Sequence, residues 1–184
     1  MSLDQLLPGI PTSCAEALAL FDAAPPVEPE FMIGTWRGAE LPTGHPLDGM
    51  LTASGWWGKR FEDAETVHPL LFPTRDVGAL WAMNPLPAFL GLGLVTRLPA
   101  LKHRSFAGTL ATLRPLLRVR SPKARLRTTR YRGTDTATMI YDQLPVNDVF
   151  RRLSGDAVIG AMDLRGVRAP YFFVLQRDES LPLR

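Results

Sequence analysis

The sequence predicts a mainly β protein built on one closed antiparallel barrel of about eight strands. Short alternating or β-rich segments, separated by Pro, Gly and Asp, follow one another along most of the chain. The run Gly34-Thr35-Trp36-Arg37-Gly38 places a tryptophan between two glycines at the entry to the first strand. A large indole flanked by glycines suits the closed end of a small barrel. No repeat or low-complexity linker divides the 184 residues, which favours a single domain over residues 1–184.

The chain is expected to begin with a helical extension over residues 1–30. Ser13 and Glu16 have the spacing of a capping box, and the helix-forming run 15–23 ends before Pro25. The apolar side chains of this run form one stripe, so the helix is expected to pack on the outside or across one end of the barrel.

The strands are predicted in two halves, residues 31–84 and residues 124–178, with an insertion at 85–123 between them. The eight predicted strands cover residues 32–38, 55–62, 67–72, 79–83, 125–132, 136–141, 157–164 and 171–177. Residues 41–49, between the first two strands, are so rich in Pro and Gly that an ordered loop is expected there.

Two further helical segments are predicted. Asn84 can cap a helix and Pro85 suits a first turn, so a helical insertion near 85–118 is expected, as a mobile lid that contacts the ligand, packed over the barrel mouth, or packed against another chain. Pro and Gly interrupt it, which makes it too short to cross a membrane. A short helix near 145–153 is predicted because Pro145 suits its first turn and its apolar residues have helical spacing. These residues are Val146, Val149, Phe150 and Leu153.

Composition is ordinary for a globular protein, with 46% apolar and 21% charged residues. A single cysteine, Cys14, excludes an internal disulfide and a multi-cysteine metal site. The first residues contain neither the basic region nor the apolar stretch of a signal peptide, so a cytoplasmic location is expected.

Charge is unevenly distributed along the chain. Residues 77–134 carry eleven Lys and Arg and no acid, whereas residues 1–76 carry four Lys and Arg against eleven Asp and Glu. Such a basic segment could bind nucleic acid, an anionic lipid surface or an acidic ligand. The alternative is internal complementarity, in which acidic N-terminal elements lie beside basic central strands. We expect no nucleic-acid partner, because no nucleic-acid-binding motif accompanies the charge.

Several spaced blocks resemble the bacterial and fungal GXWXG proteins. Besides residues 34–38, they are Gly44-His45-Pro46, Trp57-Gly58-Lys59-Arg60-Phe61 and His68-Pro69-Leu70-Leu71-Phe72. Blocks in the second half, including Met139-Ile140-Tyr141-Asp142, are similar to the uncharacterised domain that usually follows. The resemblance covers residues 31–178. It implies no particular activity, because most of the family is unassigned.

The opening Gly-X-Trp also resembles the first-strand motif of lipocalins and the wider calycin group, whose barrels enclose small apolar ligands. This resemblance implies a lipocalin-like barrel with Gly34, Trp36 and Gly38 in structural roles. Likeness of fold does not by itself transfer function.

A barrel of about eight strands can hold one small ligand. Alternation places small residues, Met and Tyr on single faces of two predicted strands, a composition suited to an apolar ligand, although a filled core would have the same pattern. These two faces carry Ala137, Met139 and Tyr141, and Val158, Gly160, Met162 and Leu164. The candidate ligand-binding residues are Trp57, Arg130, Met139, Tyr141 and Met162.

Two polar residues are candidates for chemistry. His45, in the Pro- and Gly-rich loop, could transfer a proton near neutral pH or could simply fix the loop through a backbone hydrogen bond. Lys59 follows two tryptophans and could bind an anionic group or act as a base, or it could face solvent. No metal is expected, because the histidines lack metal-ligand spacing. No cofactor is expected either, since no phosphate-binding glycine loop is present.

The sequence thus favours a protein that holds a hydrophobic, or hydrophobic and anionic, small molecule in a barrel cavity. The alternative is a cofactor-independent enzyme, of isomerase or cyclase type, that uses the same cavity with His45 or Lys59 as its proton-transfer group. A homodimer is compatible with either hypothesis.

Overall fold

The computed structural model describes residues 3, 6, 7, 9–87, 89, 105 and 107–184. Within them, ten strands form one antiparallel sheet in the order β2-β1-β10-β9-β8-β7-β6-β3-β4-β5. The strands are β1 Gly34–Glu40, β2 Gly58–Phe61, β3 Val67–Pro73, β4 Leu80–Met83, β5 Arg118–Val119, β6 Ala124–Tyr131, β7 Thr134–Tyr141, β8 Val146–Arg152, β9 Ala157–Leu164 and β10 Tyr171–Arg177.

The sheet closes because β2 pairs with β3 as well as with β1. Eight strands therefore form a ring, and β4 and β5 continue the sheet from β3. The prediction of a mainly β fold with a closed antiparallel barrel of about eight strands is confirmed. Closure leaves the interior enclosed on all sides by pleated strands, which is the geometry that small-ligand barrels use.

The short helix predicted near 145–153 is wrong, because these residues form strand β8. Val146 and Phe150 point into the barrel, whereas Val149 packs on the opposite face with the N-terminal helix. A strand that is buried on both faces carries apolar residues at odd and even positions. Their spacing can then match that of a helix, so the apolar periodicity alone could not separate the two.

The described helices are α1 Cys14–Ala23, α2 Pro29–Met32, α3 Met50–Ser54 and α4 Ala107–Leu117. At the start of α1, the Glu16 backbone N–H donates to Ser13 Oγ at 3.3 Å, as the capping-box spacing predicts. Phe21 packs against Phe172 on β10, so α1 lies across the outer face of the barrel. Of the predicted insertion near 85–118, α4 and residues 85–87 are helical, and positions 90–104 lie outside the described residues.

Part of the barrel interior is filled. Trp36 is fully buried, and its indole N–H donates to the Met32 carbonyl oxygen of α2 at 2.7 Å. The Arg177 guanidinium lies 4.4 Å from the centre of a Trp36 ring. Phe61 and Phe150 pack edge to face in the same cluster. These side chains fill this part of the barrel interior, and the remaining open space lies beside them.

The glycines of the first motif make room for other side chains. A Cβ at Gly38 would overlap the Trp56 indole, and one at Gly34 would crowd the Arg177 and Glu179 side chains. Gly58, on the neighbouring strand, lies against the Trp36 backbone. These glycines therefore determine how closely β1 and β2 can lie to each other and how closely Trp56 can pack against β1.

Many arginines of the basic segment are paired with acids on the outer surface. Arg132 Nη2 lies 2.6 Å from Asp22 Oδ2, and Arg127 Nη2 lies 2.6 Å from Glu65 Oε1. Both acids come from the acidic N-terminal part of the chain, as internal complementarity requires. None of the helices in the described ranges is long and apolar enough to cross a membrane.

Candidate functional site

The part of the barrel interior that the core does not fill is a cavity of about 340 Å³. Its walls are mainly apolar and come from both halves of the chain, with α3 and α4 contributing beside the strands. The apolar wall residues are Leu47, Met50, Leu51, Trp56, Leu70, Phe72, Met83, Pro87, Phe89, Leu110, Leu113, Leu117, Met162 and Phe173. The polar ones are Ser54, Lys59, Tyr141, Asp148 and Tyr171. A concave, largely apolar space with a few polar groups is the usual form of a small-molecule site.

Lys59 and Asp148 form a buried ion pair in the cavity wall. The distance from Lys59 Nζ to Asp148 Oδ2 is 2.7 Å, and the side chains are 3% and 1% exposed. Lys59 also donates to the Pro69 carbonyl oxygen at 3.3 Å. Lys59 stands on β2 and Asp148 on β8, which are not neighbours in the sheet, so the pair spans the barrel interior.

Aromatic rings surround the ammonium group of Lys59. Its Nζ lies 5.4 Å from the centre of a Trp56 ring, 5.0 Å from Phe173 and 5.9 Å from Tyr141. The faces of aromatic rings attract cations, most strongly where water is excluded. These rings and the Asp148 carboxylate therefore all attract the charged end of the Lys59 side chain.

Asp148 is less fully satisfied than Lys59. Among the described residues its Oδ1 atom is buried and has no hydrogen-bond partner. Burial raises the pKa of Asp148, and the neighbouring Lys59 ammonium opposes this shift. Burial also raises the pKa of Tyr141 well above its usual value, with a contribution from the Asp148 charge. The tyrosine thus stays a neutral phenol beside the pair.

The loop at residues 41–49 is held by two carboxylates. Asp48 Oδ2 accepts hydrogen bonds from the backbone N–H groups of Thr43, Gly44 and His45 at 2.8–3.0 Å. The Glu40 carboxylate accepts from Gly49 and from the backbone and hydroxyl of Thr52. These bonds fix the loop and α3 against the barrel, so that their apolar residues form part of the cavity wall.

His45 lies behind the cavity wall. Its Nδ1 accepts a hydrogen bond from the Leu47 backbone N–H at 3.1 Å, and its ring packs on Tyr171 with 5.3 Å between ring centres. Tyr171 in turn lines the cavity, and burial together with the nearby Glu40 carboxylate raises its pKa. The backbone hydrogen bond is the loop-fixing contact that the sequence left as one alternative for His45.

The structure brings three of the predicted site residues to the cavity: Lys59, Tyr141 and Met162. Met139 is fully buried in the filled part of the interior. Arg130 is 70% exposed on the outer surface, where its nearest acid is Asp135 at 3.6 Å.

Trp57 lies outside the barrel, packed against Leu71 and Leu80, and the neighbouring Trp56 lines the cavity in its place. Regular alternation would put Trp57 on the same face as Lys59. The pairing of β2 with β3 shifts register between Gly58 and Arg60, however, and a β-bulge of this kind reverses the alternation. The glycine at position 58 was the available signal for it.

Asp148 was missed by the sequence analysis because its segment was assigned to a helix. The alternation Val146-x-Asp148-x-Phe150 contains the necessary signal, a carboxylate between two apolar residues on one strand face. Such a group is rarely buried without a partner, which makes Lys59 the expected counterpart. In the described ranges, no cluster of three or more His, Cys, Asp or Glu residues could hold a metal ion.

Comparisons with known proteins agree with this architecture. A family model described as GXWXG protein matches residues 19–76, and the model described as Domain of unknown function (DUF4334) matches residues 122–177. The crystal structure of a protein from Thermomonospora curvata is similar, with a TM-score of 0.65 and 35% sequence identity over 89% of this chain and 86% of that chain. The search of curated proteins gave no match. Lys59 falls within the first matched region and Asp148 within the second.

Proposed function

The chain belongs to the GXWXG family, with a DUF4334 domain after the GXWXG domain, and we propose that it binds a small hydrophobic molecule inside its barrel. The observation that carries this proposal is the apolar cavity of about 340 Å³ with a buried ion pair in its wall. Apolar walls favour an apolar ligand through burial of its surface, and the polar pair gives the ligand one orientation.

The volume sets the size class of the ligand. Pockets for small molecules usually measure about 300–1,000 Å³, and this cavity lies near the lower end of that range. A compact ring compound therefore fits the space better than a long acyl chain. Aromatic residues such as Trp56 and Phe173 supply flat walls against which a ring can pack.

The ion pair sets the polarity of the ligand. Lys59 offers N–H donors, but Asp148 already compensates its charge, and the Asp148 carboxylate would repel an incoming anion. A neutral ligand with a hydroxyl or carbonyl group can use both residues without repulsion. We therefore favour a neutral ligand over the anionic one that the sequence allowed.

Paired ligands test this proposal. Titration of the protein at pH 7 with 2-naphthol and with 2-naphthoate, followed by ligand fluorescence and native mass spectrometry, compares a neutral and an anionic ring of similar size. We expect 1:1 binding of 2-naphthol and at least tenfold weaker binding of 2-naphthoate, a ratio equivalent to about 1.4 kcal/mol. Equal or tighter binding of the carboxylate would overturn the assignment of a neutral ligand.

A matched pair of variants locates the bound molecule. Met162→Trp should fill the cavity and abolish binding, whereas Met162→Leu nearly conserves the side-chain volume and should preserve it. Thermal unfolding of both variants confirms that they fold. If Met162→Trp folds and binds 2-naphthol as well as the unmodified protein does, the cavity is not the binding site.

A further inference from the structure

The ion pair in the cavity wall leaves hydrogen-bonding capacity unused on both partners. An ammonium group has three N–H donors, and the described contacts of Lys59 are to Asp148 and to the Pro69 carbonyl oxygen. On Asp148, Oδ2 is paired, whereas the buried Oδ1 has no partner among the described residues. Because both side chains line the cavity, a bound molecule can reach a donor and an acceptor at the same point.

A buried ion pair with an unpaired carboxylate oxygen contributes little to the stability of the fold. Hydrophobic residues of similar volume often stabilise a core as well as a buried ion pair does, and an unsatisfied buried carboxylate oxygen adds a further cost. Ser54, Tyr141 and Tyr171 are the other polar residues of the wall, yet Asp148 Oδ1 has no hydrogen-bond partner among the described residues. This points to a role for the unused atoms towards a ligand.

The surroundings of Lys59 define what it can do. Three aromatic rings lie within 6 Å of Nζ, and the Asp148 carboxylate lies 2.7 Å from it. A protonated amine is a hydrogen-bond donor and not a nucleophile. Lys59 is therefore suited to polarise a carbonyl oxygen, and the carboxylate beside it is the group that can accept a proton.

We propose that Asp148 and Lys59 form an acid–base pair that moves a proton within a bound unsaturated ketone, so that the barrel is an isomerase. The inference rests on the proposed function, because the substrate must first occupy the cavity. The chemistry needs no cofactor and no oxidant, since the product has the same composition as the substrate.

In a β,γ-unsaturated ketone, the proton moves from the carbon next to the carbonyl to the γ carbon. The Asp148 carboxylate removes a proton from the carbon between the carbonyl and the double bond, and the C–H electron pair forms a dienolate. The Lys59 ammonium donates a hydrogen bond to the oxygen on which the negative charge develops. The carboxyl group of Asp148 then returns the proton to the γ carbon. The double bond moves into conjugation, and both residues regain their starting states.

The cavity supports this role in two further ways. Lys59 and Asp148 are almost fully buried, which strengthens the interaction of Lys59 with the dienolate oxygen. Burial raises the pKa of Asp148, which makes its carboxylate a stronger base than an exposed aspartate. Among the described residues, the titratable groups that line the cavity with Asp148 are Lys59 on β2, Tyr141 on β7 and Tyr171 on β10. Both tyrosines have raised pKa values and remain neutral in the range where Asp148 titrates.

Conversion of cyclohex-3-en-1-one to cyclohex-2-en-1-one, followed by ultraviolet absorption, tests the proposal on the full chain. We expect isomerisation by the unmodified protein to exceed the buffer rate. Asp148→Asn should lower the enzymatic rate about 100-fold or more, because it removes the base but keeps the shape. Asp163→Asn is the matched control, since Asp163 lies on the adjacent strand β9 and does not line the cavity. It should leave the rate within about twofold.

Binding is measured in parallel by displacement of 2-naphthol, so that two failures can be told apart. If the ketone displaces 2-naphthol but is isomerised no faster than in buffer, the acid–base proposal is overturned and the binding function stands. If neither compound binds, the proposed function itself fails. Retention of full activity by a folded Asp148→Asn variant would also overturn the assignment.

Two further measurements need no variant that could misfold. The rate of the unmodified protein should rise with pH as Asp148 ionises and then level off, which reports the base directly. Reduction of the protein–ketone mixture with borohydride should leave Lys59 unmodified in the mass spectrum of its peptide. A covalent adduct on Lys59 would show that the amine is a nucleophile and would overturn its assignment as a donor.

Discussion

The Nζ atom of Lys59 and the Oδ2 atom of Asp148 lie 2.7 Å apart in the wall of a closed barrel. The two residues come from different halves of the chain, one in the region matched by the GXWXG model and one in the region matched by the DUF4334 model. Neither half alone could build this pair. Its position in an otherwise apolar cavity is the basis of the predictions that follow.

Removal of one partner of the pair should strongly destabilise the protein. Lys59→Met leaves the Asp148 carboxylate buried without its cation, and a loss of about 3–5 kcal/mol in the free energy of unfolding is expected. The double variant Lys59→Met with Asp148→Leu removes both charges and should regain most of that loss. Urea denaturation of the three proteins measures these differences.

The pair between Arg125 and Asp142 is the matched control for this cycle. Its charged atoms are 2.9 Å apart, but the side chains are 50% and 33% exposed. Arg125→Met should therefore cost no more than about 1 kcal/mol. A loss for Lys59→Met as small as that for Arg125→Met would show that water reaches the cavity pair.

The stability of the protein should depend on pH through Asp148 in a defined direction. Because burial raises the pKa of Asp148 in the folded state, the folded protein binds the proton more tightly than the unfolded chain does. The contribution of Asp148 to stability is then present below the unfolded pKa of about 3.9 and declines as pH rises through the folded pKa.

Thermal unfolding of the unmodified protein and of Asp148→Asn over a pH series isolates this contribution. The stability of the unmodified protein relative to the variant should fall as pH increases from about 4. A relative stability that rises with pH would mean that Lys59 lowers the pKa of Asp148 by more than burial raises it.

Gly38 should be needed for the position of Trp56 in the cavity wall. A methyl group at this position would overlap the indole, so Gly38→Ala should displace the ring, weaken 2-naphthol binding and destabilise the protein by about 1–3 kcal/mol. Chemical denaturation and fluorescence titration measure the two effects.

Gly108 is the control for this substitution. It lies in α4, and no atom stands within 4 Å of the place a Cβ would occupy. Gly108→Ala should leave binding unchanged and stabilise the protein by about 0.5–1 kcal/mol through helix propensity. If the two alanine variants behave alike, contact with Trp56 is not the reason for a glycine at position 38.

The barrel could be predicted from sequence because most of its strands carry clear signals. Strands β7 and β9 each place small residues, Met or Tyr on one face, and Gly marks the turns beside them. β8 could not be separated from a helix, because Val149 packs with α1 on the outer face while Val146 and Phe150 point inwards, so the apolar residues have helical spacing. Closure through the pairing of β2 with β3 is a long-range property that no local pattern contains.

The candidate site was predictable to a lesser degree. Tyr141 and Met162 were found because alternation places their side chains on inner faces, and Lys59 because it follows two tryptophans on a predicted strand. Trp57 was a ligand-binding candidate, but its side chain packs outside the barrel, where a bulge in β2 reverses the alternation. Asp148 could be recognised as a site residue only once β8 was known to be a strand, since its partner lies on a distant part of the chain.

The most direct measurement of the central claim is a crystal structure of the protein in complex with 2-naphthol. The account predicts the naphthyl ring inside the barrel, against Trp56 and Phe173, with its hydroxyl within about 3 Å of Asp148 Oδ1 or Lys59 Nζ. An empty cavity at saturating ligand, or a ring bound on the outer surface with the Lys59–Asp148 pair untouched, would contradict it.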